Sequence, residues 1–147
     1  MIGTLRTVVL DAPDAGRLAA FYTALGGWTE QYADDDDWIT LETGDGWRIA
    51  VQRSPGHVPP RWPDPAYPQQ AHLDLRVPDL DAGSAQAVEL GAELLRKNEN
   101  WYTLADPAGN ARQLRRLRAG APRRLLPVRI HPTRPWHDGG ESGGSIR

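Results

Sequence analysis

The sequence predicts an α+β fold made of two tandem β-α-β-β-β modules. Three observations predict it: an internal repeat, an apolar stripe at helical spacing, and period-two alternation in the flanking segments. Residues 7–14 (TVVLDAPD) line up with residues 72–79 (HLDLRVPD), and Ala24-Leu-Gly26 follows at the same interval as Glu89-Leu-Gly91. Trp38, Leu41 and Gly46 are echoed by Trp101, Leu104 and Gly109, and Gln52 and Gln113 close the two copies. A repeat of this length indicates similar half-units sharing one core. Paired halves can build one cavity from matching positions of both.

Residues 5–12 read as a strand, β-branched at Thr7, Val8 and Val9 and ending near Pro13. Alternation puts Val8 and Leu10 on one face and Thr7, Val9 and Asp11 on the other. Asp14 is placed to cap a helix along which Leu18, Phe21, Tyr22 and Leu25 recur, and Gly26-Gly27 stops it. Burying each large apolar residue of that stripe contributes roughly 1.5–3 kcal/mol. Asp34 to Asp37 read as a solvated loop tip, since they lack the Gly and Glu of a calcium loop. Residues 37–42 and 47–53 form a hairpin turning at Thr43-Gly-Asp-Gly46.

Residues 55–68 contain six Pro, which excludes a central strand and predicts a stiff connection between halves. The second half repeats the order. Residues 71–77 form a strand, Leu80 to Leu90 a helix capped by Asp79 or Asp81, and Gly91 its stop. Strands follow at 92–97, 100–104 and about 111–117, with Asp106-Pro-Ala-Gly-Asn110 as a turn. The domain is expected to span 1–117, with halves at about 4–54 and 70–117 joined by a linker at 55–69. Residues 118–147 read as a basic polar coil without a core. Their Arg-rich composition fits either a genuine extension or a shifted reading frame.

A net charge of −2 hides an uneven distribution. Residues 1–114 carry 9 basic and 17 acidic side chains, whereas residues 115–147 carry 8 Arg and 2 acids. A body this acidic repels polyanions, which argues against nucleic acid as a partner. No segment is apolar enough to cross a membrane, and the first residues lack the regions of a signal peptide. With zero Cys there is no disulfide, thiolate metal site or Cys nucleophile. These features predict a cytoplasmic protein.

The echoing motifs resemble the vicinal oxygen chelate superfamily, and within it the glyoxalase-like domains related to bleomycin-resistance proteins and extradiol dioxygenases. The resemblance rests on residues 8–14, Phe21-Tyr22 with Leu25-Gly26, residues 60–65, residues 71–79, and Trp101 with residues 105–110, and covers roughly 4–114. It implies that each half curls into a cupped mixed sheet, that the pair encloses a central cavity, and that enzymatic members hold a divalent metal there. It also makes a homodimer an expected partner arrangement. By position, the implied metal places are Thr7, Gln52, His72 and Gln113. None of the four is anionic. Carboxylates normally offset the dehydration of a divalent ion, so this set disfavours a metal cofactor.

Alternation gives His72, Asp74 and Arg76 the cavity face, and Leu73, Leu75 and Val77 the helix face. In a metal-free reading, Asp74 orients His72 as an acid–base group near neutral pH, and Arg76 holds an anionic group of a ligand. A buried salt-bridge network is the alternative for the same trio. Thr7, Asp11 and Gln52 are further ligand-binding candidates. Trp38, Trp47, Trp62 and Trp101, with Tyr22, are candidate flat walls for a planar ligand, or else core and interface filling. Trp28 and Trp136 are not expected in a pocket. Three readings follow: a protein that encloses a small organic molecule in the cavity between its halves, a metal-dependent lyase, isomerase or dioxygenase using that cavity, or an accessory domain for another protein.

Overall fold

The computed structural model describes residues 2–35, 37–69 and 71–117. The expected polar tail at 118–147 therefore lies outside the described residues. The first half runs β1 (Val8–Ala12), α1 (Ala15–Gly26), β2 (Thr29–Asp34), β3 (Trp38–Glu42) and β4 (Arg48–Arg53). The second runs β5 (Asp74–Val77), α2 (Leu80–Glu89), β6 (Glu93–Lys97), β7 (Trp101–Ala105) and β8 (Ala111–Arg116). Each half forms its own four-stranded mixed sheet, ordered β1-β4-β3-β2 and β5-β8-β7-β6. In both, the first strand lies parallel to the last and every other pair is antiparallel. The fold is thus α+β with tandem β-α-β-β-β modules, as the repeat predicts.

Both helices start on the expected caps. Asp14 accepts the backbone N–H of Arg17 at 2.8 Å, and Asp79 accepts that of Ala82 at 2.8 Å. Such caps satisfy one of the unpaired N–H groups of a first turn. Asp81 is free of capping and instead accepts from Lys97 Nζ at 2.9 Å and Tyr102 Oη at 2.8 Å, tying α2 to β6 and β7. The Lys97 hydrogen bond, ahead of the Tyr102 one, holds the Asp81 carboxyl below the usual carboxylate range. Gly27 closes α1 with φ 63°, a left-handed conformation open to Gly without a Cβ clash.

One strand escapes sequence reading. All six residues of β2 are exposed, so no apolar alternation marks them. Pairing with β3 holds them, with a bulge between Glu30 and Tyr32. β1 and β5 begin three residues later than expected, at Val8 and Asp74. Thr7 is instead fixed by its hydroxyl, which donates to the Arg48 carbonyl at 3.0 Å.

The core sits on the helix side of both sheets. Leu10, Leu18, Leu41 and Val51 of the first half and Leu80 and Leu114 of the second belong to one buried cluster. Leu73, Leu75 and Val77 pack against it, as their alternation predicts. The halves meet at a buried polar joint. Tyr22 Oη of α1 donates to Asp106 Oδ2 at 2.8 Å, and Arg112 Nη2 of β8 reaches the same oxygen at 2.8 Å. Arg112 Nε also donates to the Tyr22 hydroxyl. Burial above all pushes the Tyr22 phenol well above its ordinary value. Among the described residues no helix is long and apolar enough to cross a membrane.

Candidate functional site

The face of each sheet remote from its helix carries the polar residues singled out in the sequence. Strand register arranges them in rows. On the first sheet Asp11, Gln52 and Trp38 are neighbours across β1, β4 and β3, and the next row is Val9, Ala50 and Thr40. Trp38 Nε1 donates to Thr40 Oγ1 at 2.9 Å, which fixes the indole on this face. A cavity of about 510 Å³ opens here, bounded by Thr7, Tyr32, Trp38, Thr40 and Arg48. Arg48 is partly neutralised by Glu42 at 3.9 Å.

On the second sheet Arg76, Arg115 and Trp101 form one row, and Asp74, Gln113 and Thr103 the next. His72 Nε2 lies 3.3 Å from Asp74 Oδ1, and Arg115 Nε lies 3.5 Å from Asp74 Oδ2. The Arg115 guanidinium stands 5.6 Å from the Trp101 ring centre. Arg96 pairs with Thr103 and so shares this face, and its guanidinium is 5.9 Å from the Trp62 ring of the linker. Trp62 thus stands beside Arg96, at the β6 edge of the second sheet.

Of the expected trio, His72 and Asp74 are brought together, but in the open, while Arg76 is the register partner of Arg115. The side chains of His72 and Asp74 are 45% and 39% exposed, so the pair is neither a buried salt bridge nor enclosed within the single chain. One of the proposed flat walls, Tyr22, is elsewhere, while Trp47 lines a small pocket together with Thr7 and Arg48. Tyr22 is wholly buried at the joint, stacked on Trp28 at 5.2 Å with an interplanar angle of 7°. Trp47 is 58% exposed. Asp106 does turn the chain, accepting the backbone N–H groups of Ala108 at 3.0 Å and Asn110 at 2.9 Å, and in addition forms the ion pair with Arg112.

Register also revises the pairing of the two glutamines. Trp38 faces Gln52 and Thr40 faces Ala50, whereas Trp101 faces Arg115 and Thr103 faces Gln113. Gln113 is thus equivalent to Ala50, and Gln52 to Arg115. The first half offers a buried methyl group where the second offers an amide. The four implied metal places then fit a divalent ion poorly. One is apolar by equivalence, and the other three are a hydroxyl, an amide and an imidazole, with no carboxylate among them to offset the ion's dehydration. Among the described residues no group of three or more His, Asp or Glu side chains is placed to hold a metal. Arg96, Arg115 and Tyr32 are face residues missed in the sequence. Arg115 was legible there, being two positions from Gln113 on the same strand.

Comparison with known proteins settles the family. The model of the glyoxalase-like domain matches residues 7–114, and the chain belongs to this family. Its fold is shared with a possible glyoxalase from Bacillus cereus, at TM-score 0.61 and 13% identity over 78% of this chain and 99% of that one. A glyoxalase/bleomycin resistance protein/dioxygenase family enzyme from Burkholderia phytofirmans PsJN superposes at TM-score 0.61 and 18% identity, covering 79% and 100% of the two chains. The fosfomycin resistance protein FosX from Mesorhizobium loti superposes at TM-score 0.61 and 15% identity, covering 78% and 92%. None of the curated proteins matches the sequence. At these identities the structural likenesses establish the fold, which hosts many chemistries.

Proposed function

We propose that this protein binds a small organic molecule against its polar sheet faces, in a cavity completed when the face of one half meets that of another. The observation that carries the reading is the matched pair of open faces. Trp38 and Trp101 occupy equivalent places, each beside a row of polar side chains, and a cavity of about 510 Å³ already opens on the first face. Ligand pockets combine such aromatic walls with a few convergent polar groups. The joint at Tyr22 unites the helix sides of the halves, which leaves both faces for another surface to cover. A second copy of the chain is that surface in this proposal, so the working form is a homodimer with cavities built from both protomers. β1 and β5, one edge strand of each sheet, are the edges proposed for the contact.

The donor chemistry supports binding over metal-assisted catalysis. A hydroxyl, one amide, one imidazole and a methyl group give a divalent ion no anionic ligand to anchor it. The test is a screen of planar small molecules by thermal shift, with light scattering to read mass and elemental analysis to read metal content. A dimer with a stabilising organic ligand, and binding lost on Trp101→Ala and His72→Ala, is the expected result. A monomer stabilised only by a stoichiometric divalent metal would refute the proposal.

A further inference from the structure

We propose that the second-sheet face is the anion-recognising half of the site: Arg76 and Arg115 together grip the acidic group of a small organic acid whose apolar part lies against Trp101. The inference rests on the reading that this face holds a ligand, and adds the chemical class. Arg76 and Arg115 are register partners on adjacent parallel strands, so both side chains leave the same face about 5 Å apart at their roots. Neighbouring like charges repel unless an anion sits between them. Asp74 answers only one of them, at 3.5 Å from Arg115 Nε. Arg76 has no side-chain partner among the described residues and presents its full fork of donors. With Arg96 and Glu93 on the same face by register, three guanidinium groups stand against two carboxylates.

The two arginines have distinct parts to play. Arg115 is held between Asp74 and the Trp101 ring, which limits its rotamers and aims its donors beside Arg76. Arg76 supplies a second, unengaged fork. A pair of guanidinium groups matches the oxygens of a carboxylate or phosphonate by parallel charge-assisted hydrogen bonds. The equivalent row of the first half holds Asp11, Gln52 and Trp38. The tryptophan is common to both halves and the cation pair is not, so the charge is a property of this face and not of the fold. A polyanion is disfavoured as the occupant because residues 1–117 carry 17 acidic against 11 basic side chains. A compact acid fits the patch without meeting the rest of the body.

The test uses the full chain and two probes of similar shape, benzoate and neutral benzyl alcohol, titrated by calorimetry with tryptophan fluorescence alongside. Saturable benzoate binding is expected. Its Kd should rise at least about tenfold in Arg76→Gln and in Arg115→Gln, the loss of one charge-assisted contact. Glu89→Gln, exposed on α2 and away from both sheet faces, should leave it within about twofold. Benzyl alcohol should bind more weakly and ignore Arg76→Gln. Arg76 is exposed on an edge strand, so its variant remains decisive even where Arg115→Gln disturbs the sheet. Benzyl alcohol binding as tightly as benzoate, or a benzoate Kd unchanged in Arg76→Gln, would overturn the inference and leave the ligand-binding reading standing. Binding of neither probe would overturn both.

Discussion

Removing Asp106 should destabilise the protein far more than removing its partner Arg112, although the two form one buried ion pair. The pair is 3% and 0% exposed at the Arg and Asp side chains, respectively. Breaking a buried pair by deleting one member costs about 3–5 kcal/mol when the other is left uncompensated. The survivors differ in this respect. In Arg112→Met, Asp106 still accepts from Tyr22 Oη at 2.8 Å, Ala108 N at 3.0 Å, Asn110 N at 2.9 Å and Asn110 Nδ2 at 3.2 Å. A carboxylate with four donors remains well solvated by the protein, so the expected cost is about 1–2 kcal/mol, near that of one lost hydrogen bond. In Asp106→Ala, Arg112 keeps only the Ala111 carbonyl at 3.2 Å and the Tyr22 hydroxyl, and the two turn N–H groups lose their acceptor. That variant should lose about 3–5 kcal/mol. At about 4 °C per kcal/mol for a domain of this size, Tm falls by about 12–20 °C against about 4–8 °C. Urea denaturation with a shared m-value, checked by calorimetry, measures both. Equal losses, or a greater loss for Arg112→Met, would show that the pair itself and not the donor set around Asp106 holds the joint.

Two further outcomes follow from the same region. Tyr22 holds its proton more tightly folded than unfolded, because burial disfavours the phenolate. Its contribution is therefore complete below the unfolded value of about 10 and is lost as pH rises above it. Tyr22→Phe should be less stable than the parent at neutral pH and show a shallower fall in Tm above about pH 10; parallel pH profiles would contradict the assignment. Gly26→Ala should destabilise by about 1–3 kcal/mol, since a Cβ there would lie inside the Trp28 indole and push it off Tyr22. A near-ultraviolet circular dichroism signal and Tm equal to the parent's would show that Trp28 moves aside without loss.

What the sequence made legible, and what it hid, divides along burial. β1, β3, β4 and β5 could be read because one face of each meets the core, and period two then sorts Leu73, Leu75 and Val77 from His72, Asp74 and Arg76. β2 could not, because neither of its faces is buried and only its ladder to β3 holds it. The Tyr22 joint was hidden for a different reason. Its members come from α1, a turn and β8, and nothing local in any of the three announces that an Arg on the helix side of a strand will find an Asp and a Tyr from another module. The glutamine pairing was misread where the signal existed. Trp38 to Trp101 and Gly46 to Gly109 are equal steps, whereas Gln52 to Gln113 is two residues shorter. Keeping the equal step would have set Arg115 against Gln52 and Ala50 against Gln113. The consequence reaches the chemistry. A shift of two residues keeps the side chain on the same face but moves it one row, from beside Asp74 and Thr103 to beside Arg76 and Trp101. On the first sheet that row change takes an amide away from the place of a ligand and leaves a methyl group there. On the second it sets a second guanidinium beside Arg76. One correction of register thus weakens the case for a metal and builds the case for an anion, with no change in which residues are exposed.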